Sequence, residues 1–125
     1  MVNDGIMDRF RIEEVYGMHN YPGFPIGDFA IRSGPMMAAA DRIYIDIEGL
    51  GGHAARPHTS CDTVVVGAAI VNALQSIVSR NVDPLESAVL PITPVRAGTA
   101  DNTIQQAGHL RGTARSQTPG TRHTL

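Results

Sequence analysis

The chain contains a single cysteine, Cys61, so it holds no intramolecular disulfide framework. That usage fits a reducing compartment, and a cytoplasmic location is expected. Basic residues form no run and the formal charge is −2. Nucleic-acid binding through phosphate neutralisation is thereby excluded. The stretch from Met1 to Phe10 lacks a basic n-region and an apolar h-region and does not read as a secretory leader. The longest apolar stretch, Val64 to Val78, is interrupted by Gly67, Asn72, Gln75 and Ser76. It reads as too short and too polar to span a bilayer. No second histidine or cysteine lies at a compact metal-binding spacing such as H-x3-H or C-x2-C from His19, so no complete local site surrounds it, and the five-residue spacing of His53 and His58 on a loop does not fix a shared face for a metal.

Hydrophobic residues make up 42% of the chain, enough for a core. At 125 residues there is room for one domain or for pieces of two. Thirteen glycines and eight prolines announce many turns. Before about Ala40 the chain reads as short extended pieces. Val15 to His19 and Gly27 to Arg32 are strand-like, separated by a proline-bounded loop from Asn20 to Pro25.

After Ala40 the pattern is regular. Ile43, Ile45 and Ile47 alternate with polar residues over Arg42 to Glu48, which predicts a half-buried strand. Asp62 reads as an N-cap, and Val64, Ala68, Val71, Leu74, Ile77 and Val78 recur at helical spacing until Asn81 and Pro84 stop the helix. Ser87 to Val95 is β-rich, with Pro91 and Pro94 confining it to an edge or an interrupted strand. Thr103 to Arg115 is the last strand expected. Thr118 and Pro119 form the N-cap and first position of another helix. The order is strand, helix, strand, strand, start of a helix. It predicts an α+β fold, a ferredoxin-like split β-α-β unit incomplete at its C-terminus.

Chemistry concentrates in a few places. Gly49-Leu50-Gly51-Gly52-His53-Ala54-Ala55-Arg56-Pro57-His58 is a bent loop straight after a strand, and such loops carry function. An imidazole there can donate a hydrogen bond, move a proton or ligate a metal. A structural role for His53 stays open, and the glycines lack the Lys-Ser/Thr ending of a phosphate loop. His19 closes a strand-like segment and can either ligate a metal or bond its own turn. Asp101 and Asn102 can form a simple Asx-turn. Arg111 and Arg115 lie four apart on one expected strand, hence on one face, where they are either a solvated edge or, facing a cleft, guanidinium groups suited to a carboxylate. Cys61 lies before the helix N-cap but has no base to pair with, and reads as an inert thiol.

Five ordered segments carry a resemblance. They are Tyr16 to Pro22, Arg32 to Asp41, Gly49 to His58, Ser79 to Pro84 and Gly98 to Asn102. Together they resemble the amidohydrolase branch of the aminoacylase/carboxypeptidase-type dinuclear metallopeptidases, which includes hippurate hydrolase and N-acyl-L-amino-acid amidohydrolases. The resemblance implies that residues 1–40 are a late part of a metal-binding α/β catalytic domain. Residues 41–125 would then be most of an inserted lid and dimerisation domain. It implies hydrolysis of the amide of an N-acyl amino acid or peptide-like conjugate by a homodimer that uses two divalent ions of the Zn, Mn, Co or Ni type, with no membrane partner. By the same resemblance His19 is a metal ligand, and His53 is a catalytic group reaching the partner subunit's site. Asn102 and Arg115 are substrate contacts.

The family's His-Ala-Cys-Gly-His-Asp motif, its paired glutamates and its late histidine ligand are absent, and Gln105 stands where proline is usual. The 125 residues are therefore expected to be a central segment that does not build the dinuclear centre alone. The competing expectations are a non-catalytic dimerisation or lid module and a ferredoxin-like small-molecule-binding domain.

Overall fold

The computed structural model describes residues 2–125. They divide into two packing units, the first ending at Ala30 and the second running from Ile31 to Leu125.

In the first unit a short helix, α1 (Ile6–Phe10), is followed by turns and irregular chain. Tyr21 and Phe24 meet edge to face with ring centroids 5.5 Å apart. The strand-like segments at 15–19 and 27–32 are not strands. Neither finds a ladder partner among the described residues, and strand propensity is realised only against a neighbouring strand. Their apolar side chains stay exposed, Tyr16 by 86% and Ile31 by 94%.

The second unit is built on a four-stranded antiparallel sheet. Strand β1 (Ala39–Glu48) alternates as expected, Ile43, Ile45 and Ile47 half-buried and Arg42, Tyr44, Asp46 and Glu48 exposed. A very short strand, β2 (Gly52–His53), follows, then helix α2 (Thr63–Ser76), strands β3 (Ala88–Val89) and β4 (Ile92–Ala97), a second two-residue strand β5 (Thr103–Ile104), the long strand β6 (Ala107–Ser116) and helix α3 (Pro119–Thr124). β6 pairs with β1 along its whole length, from Ala39 opposite Ser116 to Glu48 opposite Ala107. On its other edge β6 pairs with β3 and then β4. β1 and β4 are thus parallel to each other, with β6 between them and α2 in their connection.

The expected β-rich run at 87–95 is split in two. Pro91 interrupts it, and the register shifts between Ile92 and Val95 around Pro94. A proline cannot donate to a ladder, and both pieces lie on the outer edge of β6. The single strand expected over 103–115 is likewise broken, at Gln105 and Gln106, so that β5 leaves the main sheet and pairs with β2 instead.

Asp62 caps α2 as expected, its Oδ1 accepting from Val64 N (2.8 Å) and Val65 N (3.4 Å). The helix runs on to Asn81, the residue expected to stop it. A wider π-helical turn, Ile77–Asn81, continues it, closed by the amide of Val82 on the carbonyl of Ile77 (3.3 Å). The full stretch Thr63–Asn81 reaches 19 residues and is long and apolar enough, by length and composition, to cross a membrane, which corrects the shorter span read from the sequence. Here it lies on the sheet, where a Cβ at Gly67 would touch Ile47 and Leu110. Leu90, Ile104, Leu110 and Ala114 form the buried apolar core. The hydroxyl of Thr63, fully buried, donates to the Gln105 carbonyl (3.1 Å) and ties the start of α2 to the break before β6.

Thr118 caps α3 with Pro119 in its first turn. Arg122 donates twice to Asp41 on β1, Nε to Oδ2 (2.7 Å) and Nη2 to Oδ1 (2.6 Å), which fastens the helix to the sheet.

Leu110 is 1% exposed, on the strand shared by every pairing of the main sheet. Leu110→Ala is expected to cost about 2–5 kcal/mol, read as a lowered urea midpoint.

Candidate functional site

The loop after β1 is shaped by close approach. A Cβ on Gly49 would run into the carbonyl of Cys61 and the methyl of Thr63, and one on Gly52 into the hydroxyl of Ser60. Only glycine lets the backbone pass so near. Leu50 and Cys61 bridge across the loop, donating to each other's carbonyls at 3.1 and 2.9 Å. The bend thus delivers Gly52 and His53 into an antiparallel ladder with Ile104 and Thr103.

This ladder brings two of the sequence-selected residues together. His53 lies opposite Thr103, and the next amide, Ala54 N, donates to the carbonyl of Asn102 (3.0 Å). The Asn102 side chain is exposed, and its Oδ1 accepts from Thr103 Oγ1 (3.3 Å), leaving its NH₂ group free to donate. The turn before it uses Gly98 at φ 92°, and Gln105 Nε2 donates to Thr99 Oγ1 (3.0 Å). Gln105, which replaces the proline usual in the resembling family, therefore ties the turn by a side-chain bond. His53 is exposed, and its Nδ1 accepts from Ala55 N (3.1 Å). The sequence reading did not single out the Ala54 and Ala55 amides. Its only signal for them was the Gly-His-Ala-Ala string itself.

Arg115 is not part of this grouping. It sits opposite Ala40 near the far end of β6. Eight residues separate it from Ala107, roughly 26 Å of strand at about 3.3 Å per residue. It is exposed and has no ion pair among the described residues. Arg111, on the same face, is committed. It donates to Asp46 Oδ1 (2.7 Å) and to the Ile45 and Leu110 carbonyls (3.1 and 2.9 Å), and its guanidinium stacks 5.2 Å from the Tyr44 ring centroid. Of the two arginines, Arg115 is the one available to a ligand. His58 lies in the helical turn Pro57–Thr59, exposed. Cys61 is exposed.

His19 belongs to the first unit and is exposed, its Nδ1 against the carbonyl of Asn20. A carbonyl only accepts, so Nδ1 carries the proton and Nε2 keeps its lone pair. That is the pattern of a metal-binding histidine whose other nitrogen is held by an outer partner. Among the described residues no group of three or more His, Cys, Asp or Glu is gathered to hold a metal. The described residues therefore do not complete a metal centre around His19.

No family model matches the chain. It is 39% identical over 119 residues to an N-acetyldiaminopimelate deacetylase of Priestia megaterium, a match covering 95% of this chain and 32% of that protein. It is 43% identical over 105 residues to an N-acetylcysteine deacetylase of Bacillus subtilis, covering 84% and 28%. A solved Bacillus subtilis structure, described as a dinuclear metal-binding peptidase of the M20 family, superposes with TM-score 0.57 and 31% identity over 86% of this chain and 24% of its own. The chain belongs to the amidohydrolase branch of the M20 metallopeptidases. This M20 chain spans about a third of the length of the curated relatives it matches.

On the open face of this M20 sheet Asp46 accepts from His109 Nδ1 (2.8 Å) as well as from Arg111. First the His109 bond and then the Arg111 bond hold its carboxyl below the usual carboxylate range. Arg122 does the same to Asp41. A carboxyl whose folded pKa is depressed contributes stability above its unfolded pKa and loses it as pH falls through the folded value. Acidification below about pH 4 should therefore lower the urea midpoint of the chain. Asp46→Asn should flatten part of that acid limb and leave the Asp41 share.

Proposed function

We propose that the chain is the lid segment of a metal-dependent amidohydrolase that cleaves the amide of N-acyl amino acids, with acetyl as the acyl group. The observation that carries this reading is the juxtaposition of His53 and Asn102 on one small ladder, at the edge of a segment about 40% identical to two deacetylases of acetylated amino acids. The β1-β6-β4 order with α2 as crossover supports a ferredoxin-like lid.

In the complete enzyme His19 supplies one ligand to a pair of divalent ions. When bound, such ions lower the pKa of water and polarise a carbonyl. His53 donates a hydrogen bond to the carbonyl oxygen as negative charge develops there, which favours the transition state over the ground state. The free NH₂ of Asn102 binds beside it. Arg115 holds the amino-acid carboxylate bidentately. The roughly 26 Å between Ala107 and Arg115 exceeds the length of an N-acetyl amino acid. This supports a homodimer in which the His53 end of the lid serves the partner's site and the Arg115 end serves its own. The cytoplasm suits an enzyme of this composition. For this chain by itself, the lack of gathered ligands among the described residues favours a non-catalytic lid and dimerisation role.

The test is a chimera in which the matched third of the Priestia megaterium deacetylase is replaced by this chain. It should release acetate from N-acetyl amino acids in a metal-dependent reaction. His53→Ala in it should lower kcat by about 10²–10³ with little change in KM and unchanged metal content. Unchanged kcat, or loss of metal from that variant, contradicts the assignment.

A further inference from the structure

Three consecutive amides after His53 are each committed. Ala54 N donates to the Asn102 carbonyl (3.0 Å), Ala55 N to His53 Nδ1 (3.1 Å) and Arg56 N to the His53 carbonyl (2.8 Å). The middle bond decides the chemistry of the ring. A backbone N–H can only donate, so Nδ1 must accept with its lone pair. The proton of the neutral imidazole then resides on Nε2. We infer that the Ala55 amide is a positioning group that fixes His53 in its Nε2–H tautomer, so that the ring meets its target as a hydrogen-bond donor. The opposite tautomer would set two N–H groups against each other at Nδ1 and would offer a target oxygen only a lone pair.

His19 shows the contrary setting. Its Nδ1 faces a carbonyl, and its Nε2 keeps the lone pair. A backbone donor beside one histidine and a backbone acceptor beside the other give two identical side chains opposite capacities, one to donate and one to ligate. The cradle of His53 is tied to the substrate-side asparagine through Ala54, so the tautomer and the His53–Asn102 juxtaposition come from one turn of backbone. The catalytic consequence rests on the amidohydrolase reading above, whereas the proton position does not.

The experiment is nuclear magnetic resonance of the 125-residue chain, labelled with ¹⁵N and with ¹⁵N-histidine, at a pH where the imidazoles are neutral. His53 should show a protonated-type Nε2 and a bare Nδ1, with a through-hydrogen-bond coupling between Nδ1 and the Ala55 amide nitrogen. Ala55→Pro, which removes the N–H, should replace this single pattern by a mixture of tautomers. Ala55→Ser, which keeps the N–H, should retain it. A wild-type His53 protonated on Nδ1, or a wild-type ring already a mixture, overturns the inference. So does an Ala55→Pro chain that folds and keeps the wild-type pattern. If Ala55→Pro does not fold, the wild-type coupling decides, since its absence would also overturn the inference. An inactive chimera with the expected His53 pattern would count against the hydrolase reading alone, and an active one with the wrong pattern against the tautomer alone.

Discussion

The second packing unit depends on the pairing of β6. Every other strand of the main sheet is bonded to it, β1 along one edge and β3 and β4 along the other. Its inward residues Leu110 and Ala114 are core, and α2 rests on it through Gly67. The candidate site hangs from the same strand. Two residues before β6 begins, the backbone turns out of the main sheet, and β5 catches β2. Thr63 fastens that departure to the helix. The position of His53 is thus set by the register of the central strand, three links away.

The two faces of the sheet do different work. One is covered by α2 and pinned by the Arg122–Asp41 pair at its rim. The other is open and polar. There the Asp46, His109, Arg111 and Tyr44 cluster satisfies its own charges and leaves Arg115 without an ion pair among the described residues. Exposed pairs of this kind contribute little stability, and their effect is to decide which guanidinium remains available. On a strand with two arginines on one face, that selection is what separates a binding candidate from a structural group.

Much of this was legible in the sequence where a repeating pattern existed. The alternation of Ile43, Ile45 and Ile47, the Asp62 cap, the Thr118-Pro119 start and the prolines of the edge strand each state a local rule, and the fold follows each of them. The misreadings share a cause. Val15 to His19 alternates like a strand but has no ladder partner among the described residues, and alternation cannot report a missing partner. The two-residue strands β2 and β5 are too short to show any period, so the ladder that unites His53 with Asn102 was invisible. The end of α2 at Asn81 was legible, but the widened π-helical form of its last turn is something side-chain spacing does not encode. The groups around His53 are backbone amides, and a sequence lists side chains. Family membership was legible from ordered motifs, because five weak matches in sequence order are specific where one is not.

The claim on which the functional account turns is that the His53 end of the lid serves a metal site in another subunit. It is tested most directly by mixing two inactive chimeric enzymes, one carrying His53→Ala and the other His19→Ala. Each mixed dimer then holds one site with an intact metal ligand of its own and an intact His53 from its partner. Hydrolysis should return as subunits exchange. If native mass spectrometry shows the mixed dimer and no activity returns, the lid does not act across the interface and the account is wrong.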